Sequence, residues 1–158
     1  MTFRPGAIVM ADTCALFAAV DETDPVHDEA ARVLNQAGLL VISPLVLAEL
    51  DHLCKREMSD WEDRLDVADM IERQVTARRA VVPELTSRHL QEAQALRRQY
   101  AGLELDFADA TVMVLAADYP TIDVLTIDER DFRVVKPPRQ SEPCFRLLPA
   151  DAYASSGP

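Results

Sequence analysis

The chain has 158 residues, 49% of them hydrophobic, with 16 Lys and Arg against 27 Asp and Glu and a formal net charge of −11. That length and apolar content suit one globular domain with a substantial core. The charge argues against a protein that attracts polyanions through its overall field, so any nucleic-acid site must be local. Cys14, Cys54 and Cys144 form no C-x-x-C pair, and His27, His52 and His89 are scattered; this argues against a disulfide framework or a zinc site and points to a reducing cytosol. The apolar run after Arg4 meets Asp12 before a signal core or membrane span is complete, so a soluble, cytoplasmic protein is expected.

In chain order, AIVMAD (residues 7–12) reads as a buried strand feeding an apolar helix. A helix is predicted from Asp24 and Pro25 to a stop at Gly38. LLVISP (39–44) is a second strand, with Ser43 as N-cap and Pro44 at the first position of the helix that follows. In SDWE (59–62), Ser59 and Glu62 have capping-box spacing, and Trp61, Leu65, Ala68, Ile71 and Val75 trace one apolar face expected to meet the core. RAVVPE (79–84) is a short strand, and residues 87–100 form an amphipathic helix through Leu90, Ala93, Leu96 and Tyr100. FADATVMVLAADY (107–119) is apolar nearly all round, as a buried central helix would be. DVLTID, ERDF and CFRLLP then read as strand, helical turn and strand. Continuous apolar strands alternating with helices indicate an α/β fold, an α/β/α sandwich around a mainly parallel sheet. Residues 1–150 are expected to form one domain and 151–158 a polar tail.

Parallel sheets of this kind bind ligands beyond the carboxyl ends of their strands. Asp12 and Asp128 end strand-like runs, Glu49 lies about a turn and a half into the helix after Ser43, and Asp109 opens the apolar helix. Each also has an ordinary reading: Asp12 as a cap, Asp109 as a helix-start residue, Asp128 as a turn, Glu49 as a solvated side chain. The residues beside Glu49 and Asp109 are apolar, which suggests buried surroundings. Clustered carboxylates without basic partners call for a cation. Oxygen ligands suit Mg²⁺, with Mn²⁺ as a substitute, and such a site suits phosphodiester hydrolysis by an activated water. No covalent nucleophile is needed, and Cys14 is expected to serve packing.

Together IVMADTCALF, VISPLVLAELDHL, LDFADATVMVLAADY and VLTIDERDF resemble the PIN-domain ribonucleases, specifically the VapC toxins of bacterial VapBC toxin–antitoxin pairs, over about Ile8 to Pro149. The resemblance implies a PIN-like fold and a Mg²⁺- or Mn²⁺-dependent endoribonuclease that cuts transfer or ribosomal RNA to arrest translation. It also implies a VapB-type antitoxin as partner and a homodimer. Asp12, Glu49, Asp109 and Asp128 become its catalytic acids, with Asp12 and Asp109 as principal metal ligands. Thr13 and Thr126 match its hydroxyl positions. Asp106 competes with Asp109, and Asp131 with Asp128, as auxiliary acids. Cys14 stands where these toxins usually carry serine or asparagine. Arg130, Arg133 and Lys136, which follow Asp128, are the expected RNA contacts.

Other classes fit less of the chain. A phosphoacceptor domain would need an adjacent acid pair near the first strand and a lysine after a late one, and a dinucleotide-binding domain would need a glycine-rich turn. A PIN nuclease of RNA processing or decay, or a non-catalytic metal- or phosphate-binding module, is the alternative.

Overall fold

The computed structural model describes residues 3–152. Five strands form one parallel sheet in the order β3-β2-β1-β4-β5: β1 Ile8–Ala11, β2 Leu39–Ile42, β3 Ala80–Val81, β4 Asp123–Leu125 and β5 Arg146–Leu148. Seven α-helices connect them: α1 Thr13–Val20, α2 His27–Gln36, α3 Pro44–Glu57, α4 Trp61–Thr76, α5 Ser87–Gln99, α6 Phe107–Asp118 and α7 Glu129–Val134. A 3₁₀ turn, Ala101–Leu103, leads toward α6.

Successive residues of a strand face opposite sides of the sheet, yet Val9, Met10 and Ala11 are all fully buried. Both faces are therefore covered, and the sandwich expected from the apolar runs is the one observed. The register then fixes the functional edge. Ala11 pairs with Ile42 on one side and Leu125 on the other, so Asp12, Ser43 and Thr126 emerge from three adjacent strands at one level. Strand order reverses direction about β1, which makes this edge the switch-point crevice of the sheet.

At the other end of β1, Gly6 donates to the Gln36 carbonyl and Gly38 to that of Ala7. A Cβ at Gly38 would collide with the Gly6 carbonyl, which is why the α2–β2 turn needs glycine there. Across β4 and β5, the buried Asp123 receives a two-pronged bond from Arg146, Nη2 to Oδ2 at 2.7 Å. The sheet thus holds a buried ion pair at the opposite strand ends from the acidic edge.

Several local expectations are corrected. α2 begins at His27 rather than Asp24, because the Asp24 carboxylate is used by the Val26 amide and so shapes the preceding turn. Asp60, not Ser59, caps α4, accepting from the Glu62 amide at 2.7 Å. The core face of α4 is Val67 and Ile71; Trp61 (62% exposed), Leu65, Ala68 and Val75 face outward. On α5, Leu90 is exposed and His89 is buried in its place, completing a cap with Thr86 and bonding Asp118 through Nε2 at 2.7 Å. β4 stops at Leu125, so Asp128 lies beyond the strand and caps α7. Of the expected polar tail, Asp151 and Ala152 pack on the domain: the Asp151 carboxylate accepts from the Leu147 amide, and Ala152 is buried. Residues 153–158 lie outside the described residues.

Candidate active site

Asp12 is 4% exposed and doubly held. Its Oδ1 accepts from the Thr13 amide at 2.7 Å, capping α1, and its Oδ2 accepts from the Thr126 hydroxyl at 2.7 Å. The Thr126 oxygen also accepts from the Asp128 amide at 3.1 Å, so one side chain ties the first acid to the loop carrying the fourth. Thr13 Oγ1 donates to Glu49 Oε2 at 2.8 Å, tethering the acid of α3 to the start of α1. Asp106 caps α6 through the Ala108 amide, leaving the half-buried Asp109 in the first turn with no hydrogen-bond donor on its carboxylate among the described residues.

The electrostatics show which acids the fold gathers. Burial raises the Asp12 pKa; the bonds from Thr126 and Thr13 pull it back, and repulsion from Glu49 and Asp128 adds to the rise. Burial, then repulsion from Asp12, Asp106, Glu49 and Asp128, pushes Asp109 up to about 8. The sheet edge therefore brings Asp12, Glu49, Asp109 and Asp128 within electrostatic reach of one another, with Asp106 beside Asp109. Asp131 is held differently. It is buried and receives Arg130 Nε at 2.8 Å, so its charge is matched within α7.

Two expectations about surroundings change. Glu49 is exposed rather than enclosed, since Leu50 turns to the core from another face of α3; Asp128 is exposed too. Cys14 is not a core residue: it is exposed as a residue, while partial burial of its thiol, then repulsion from Asp12, Glu49, Asp109 and Asp128, pushes the thiol up to about 11. It faces the acid cluster.

Among the described residues no three or more His, Cys, Asp or Glu side chains are drawn together as a complete metal cage. The donor set nevertheless fits a hydrated hard cation, which takes one or two carboxylates directly and keeps several waters. Asp12 is the buried oxygen donor and Asp109 the half-buried one; burial, then repulsion from the other acids, raises both pKa values, and no Lys, Arg or His pairs with either carboxylate among the described residues. Ser43, read in the sequence only as a helix cap, and Thr111, not singled out there, share a 2.8 Å hydroxyl bond that fixes the start of α3 against α6 and hence Glu49 relative to Asp109.

The three basic residues after Asp128 are unequal. Arg133 is committed to Asp151 at 2.6 Å and Glu129 at 2.9 Å, and Arg130 to Asp131 and the Leu103 carbonyl. Lys136 is exposed, and its backbone amide donates to the Tyr100 hydroxyl.

A parallel sheet that collects acids at its switch point is the arrangement of a PIN domain, and the sequence matches the PIN domain family over residues 9–137. The chain belongs to that family. Its relatives include Ribonuclease VapC26 of Mycobacterium tuberculosis, 29% identical over 127 residues, a match covering 80% of this chain and 90% of that protein. The fold is shared with the crystal structure of VapC20 from Mycobacterium tuberculosis, described as a sarcin–ricin loop cleaving toxin, at a TM-score of 0.67 and 19% identity over 78% of this chain and 91% of the other. It is also shared with VapBC2 from Rickettsia felis, bound to a DNA fragment from its promoter, at a TM-score of 0.59 and 16% identity over 82% and 94%. The resemblance read from the four motifs holds at the level of the family, and these relatives carry VapC and VapBC names.

Proposed function

We propose that this protein is a divalent-metal-dependent endoribonuclease of the VapC type, a toxin that cuts structured transfer or ribosomal RNA and is restrained by a VapB-type antitoxin. One observation carries the reading: buried Asp12 and half-buried Asp109 repel each other at the sheet's switch point with no basic partner, so their charge is left for a cation to balance. Mg²⁺ or Mn²⁺ bound there would supply a water of lowered pKa and positive charge against the phosphoryl oxygens.

This chain's residues do the positioning. Thr126 and the Thr13 amide fix both oxygens of Asp12, so it meets the cation in one orientation. Thr13 holds Glu49 on the open side of the cluster, where an exposed carboxylate can orient a water or take its proton. Asp128 faces the same opening from the α7 side.

A protein partner is supported by the outward face of α4. Trp61 and Leu65 are exposed, and Leu47, Leu50, Cys54, Val67, Ala68 and Ile71 line a mostly apolar groove of about 200 Å³ between α3 and α4. Such a surface on an otherwise charged protein suits an antitoxin or a second copy of the chain. Among the described residues no helix is long and apolar enough to cross a membrane.

The test is cleavage of end-labelled transfer and ribosomal RNA with Mg²⁺, Mn²⁺ or EDTA, beside Asp12→Asn and Asp109→Asn. Discrete cuts abolished by EDTA and by both substitutions are expected. Cuts that persist in both variants would contradict the assignment.

A further inference from the structure

Six of the fourteen arginines of this acidic protein lie in ion pairs among the described residues, Arg56, Arg88, Arg130, Arg133, Arg139 and Arg146, and they include both arginines of α7, which follows Asp128. An RNA strand approaching the acid cluster needs a cation that is both near and unmatched, because an arginine already paired with a carboxylate offers little net charge to a phosphate. Arg97, at the end of α5, meets both conditions. Its Nε donates to the Leu105 carbonyl at 2.9 Å, its Nη1 to Gln94 Oε1 at 3.2 Å, and its guanidinium lies 5.3 Å from the centroid of the Phe107 ring. Among the described residues no carboxylate pairs with it. Phe107 sits in the first turn of α6, between Asp106 and Asp109. The guanidinium is thus held in orientation against the first turn of the helix that carries Asp109, and no carboxylate takes up its charge among the described residues.

Arg97 and Arg98 line a concavity of about 370 Å³ with Gln94, Ala101, Glu104 and Leu105. Arg98 is exposed, with no ion pair among the described residues. Glu104 is the one acid in the lining, and its charge acts on Arg130 from the other side. Here we infer that the concavity at the end of α5 is a phosphate subsite for the RNA backbone flanking the cleaved bond, with Arg97 as its oriented donor and Arg98 as its exposed one. The inference rests on the nuclease reading and adds to it the path of the substrate.

The experiment is fluorescence anisotropy of labelled total transfer RNA and of a synthetic RNA hairpin against the full chain, in Mg²⁺ and in EDTA, over a salt series. Arg98→Ala, which removes no internal bond, is expected to weaken binding by roughly 3- to 10-fold and to lower the slope of log affinity against log salt by about 0.7–0.9. Arg97→Lys, which keeps the charge but not the fork, should raise KM with kcat retained. Arg73→Ala, on α4 beside the β3 edge, should match wild type. Wild-type affinity and salt slope in both Arg97 and Arg98 variants would overturn the subsite while leaving the nuclease reading intact, and would suit a surface used for a protein partner instead. A wild-type chain that binds neither RNA in either condition would overturn the nuclease reading itself.

Discussion

Asp109→Asn tests the strain that the fold places on its acids. Asp109 titrates near 8 in the folded protein against an ordinary 3.8, chiefly through burial and then through repulsion by Asp12, Asp106, Glu49 and Asp128. Between those values the folded state holds a proton that the unfolded chain has released. Stability without metal is therefore full below about pH 4 and declines as pH rises toward about 8. At about 1.4 kcal/mol per unit the ceiling is roughly 5–6 kcal/mol. Asp109 is only half-buried and shares its proton equilibrium with Asp12, so the effect expected is ~1–3 kcal/mol. For a domain of this size that is roughly 3–10 °C in Tm. Thermal melts by circular dichroism in EDTA should show the wild type losing Tm from about pH 5 to about pH 8, and Asp109→Asn losing much less. Mg²⁺ at about pH 8 should restore the wild type and leave the variant unmoved. A variant less stable than wild type at about pH 8, or a wild type indifferent to pH, would refute the reasoning.

Thr126→Val removes the hydroxyl bond to Asp12 and the acceptor of the Asp128 amide; metal affinity measured by calorimetry should fall roughly 10-fold or more while the fold is kept. Thr13→Val frees Glu49 but leaves the amide bond to Asp12, so kcat should fall while Mn²⁺ affinity changes little, read by steady-state cleavage and metal titration. Cys14, with its thiol pushed up to about 11, should react with iodoacetamide at about pH 8 some 10- to 100-fold more slowly than a free thiol, as followed by mass mapping, and bound divalent metal should speed it. Asp123→Asn breaks the two-pronged ion pair with Arg146 in a buried setting and should cost roughly 1–3 kcal/mol in urea unfolding without touching the acid cluster.

The acids and strands were legible because each is announced locally. An apolar β-type run ending in Asp12, and Ser43-Pro44 opening a helix, are signals carried by adjacent residues, and the structure keeps both. What brings Asp12 beside Thr126 is register across β1 and β4, which no local pattern encodes. The misjudged face of α4 has a related cause. Of the expected stripe only Ile71 meets the core; Trp61, Leu65, Ala68 and Val75 satisfy helical periodicity with it, but Val67 does so equally, and tertiary packing turned the Val67–Ile71 side inward. Cys14 lies in an apolar sequence, ALF following it, yet α1 turns its thiol to the acid edge. Arg97 was one of several paired arginines in the sequence. Its placement on Phe107 at the start of α6, together with the ion pairs that occupy Arg130 and Arg133, sets it apart.

The central claim is that Asp12 and Asp109 jointly hold a divalent cation. Electron paramagnetic resonance of Mn²⁺ titrated into the purified protein, beside Asp12→Asn and Asp109→Asn, addresses it most directly, because free and bound Mn²⁺ are counted without reference to activity. The wild type should bind Mn²⁺ saturably, and each variant should lose that binding or show it strongly weakened. A wild type that binds no Mn²⁺, or variants that bind it equally well, would contradict it.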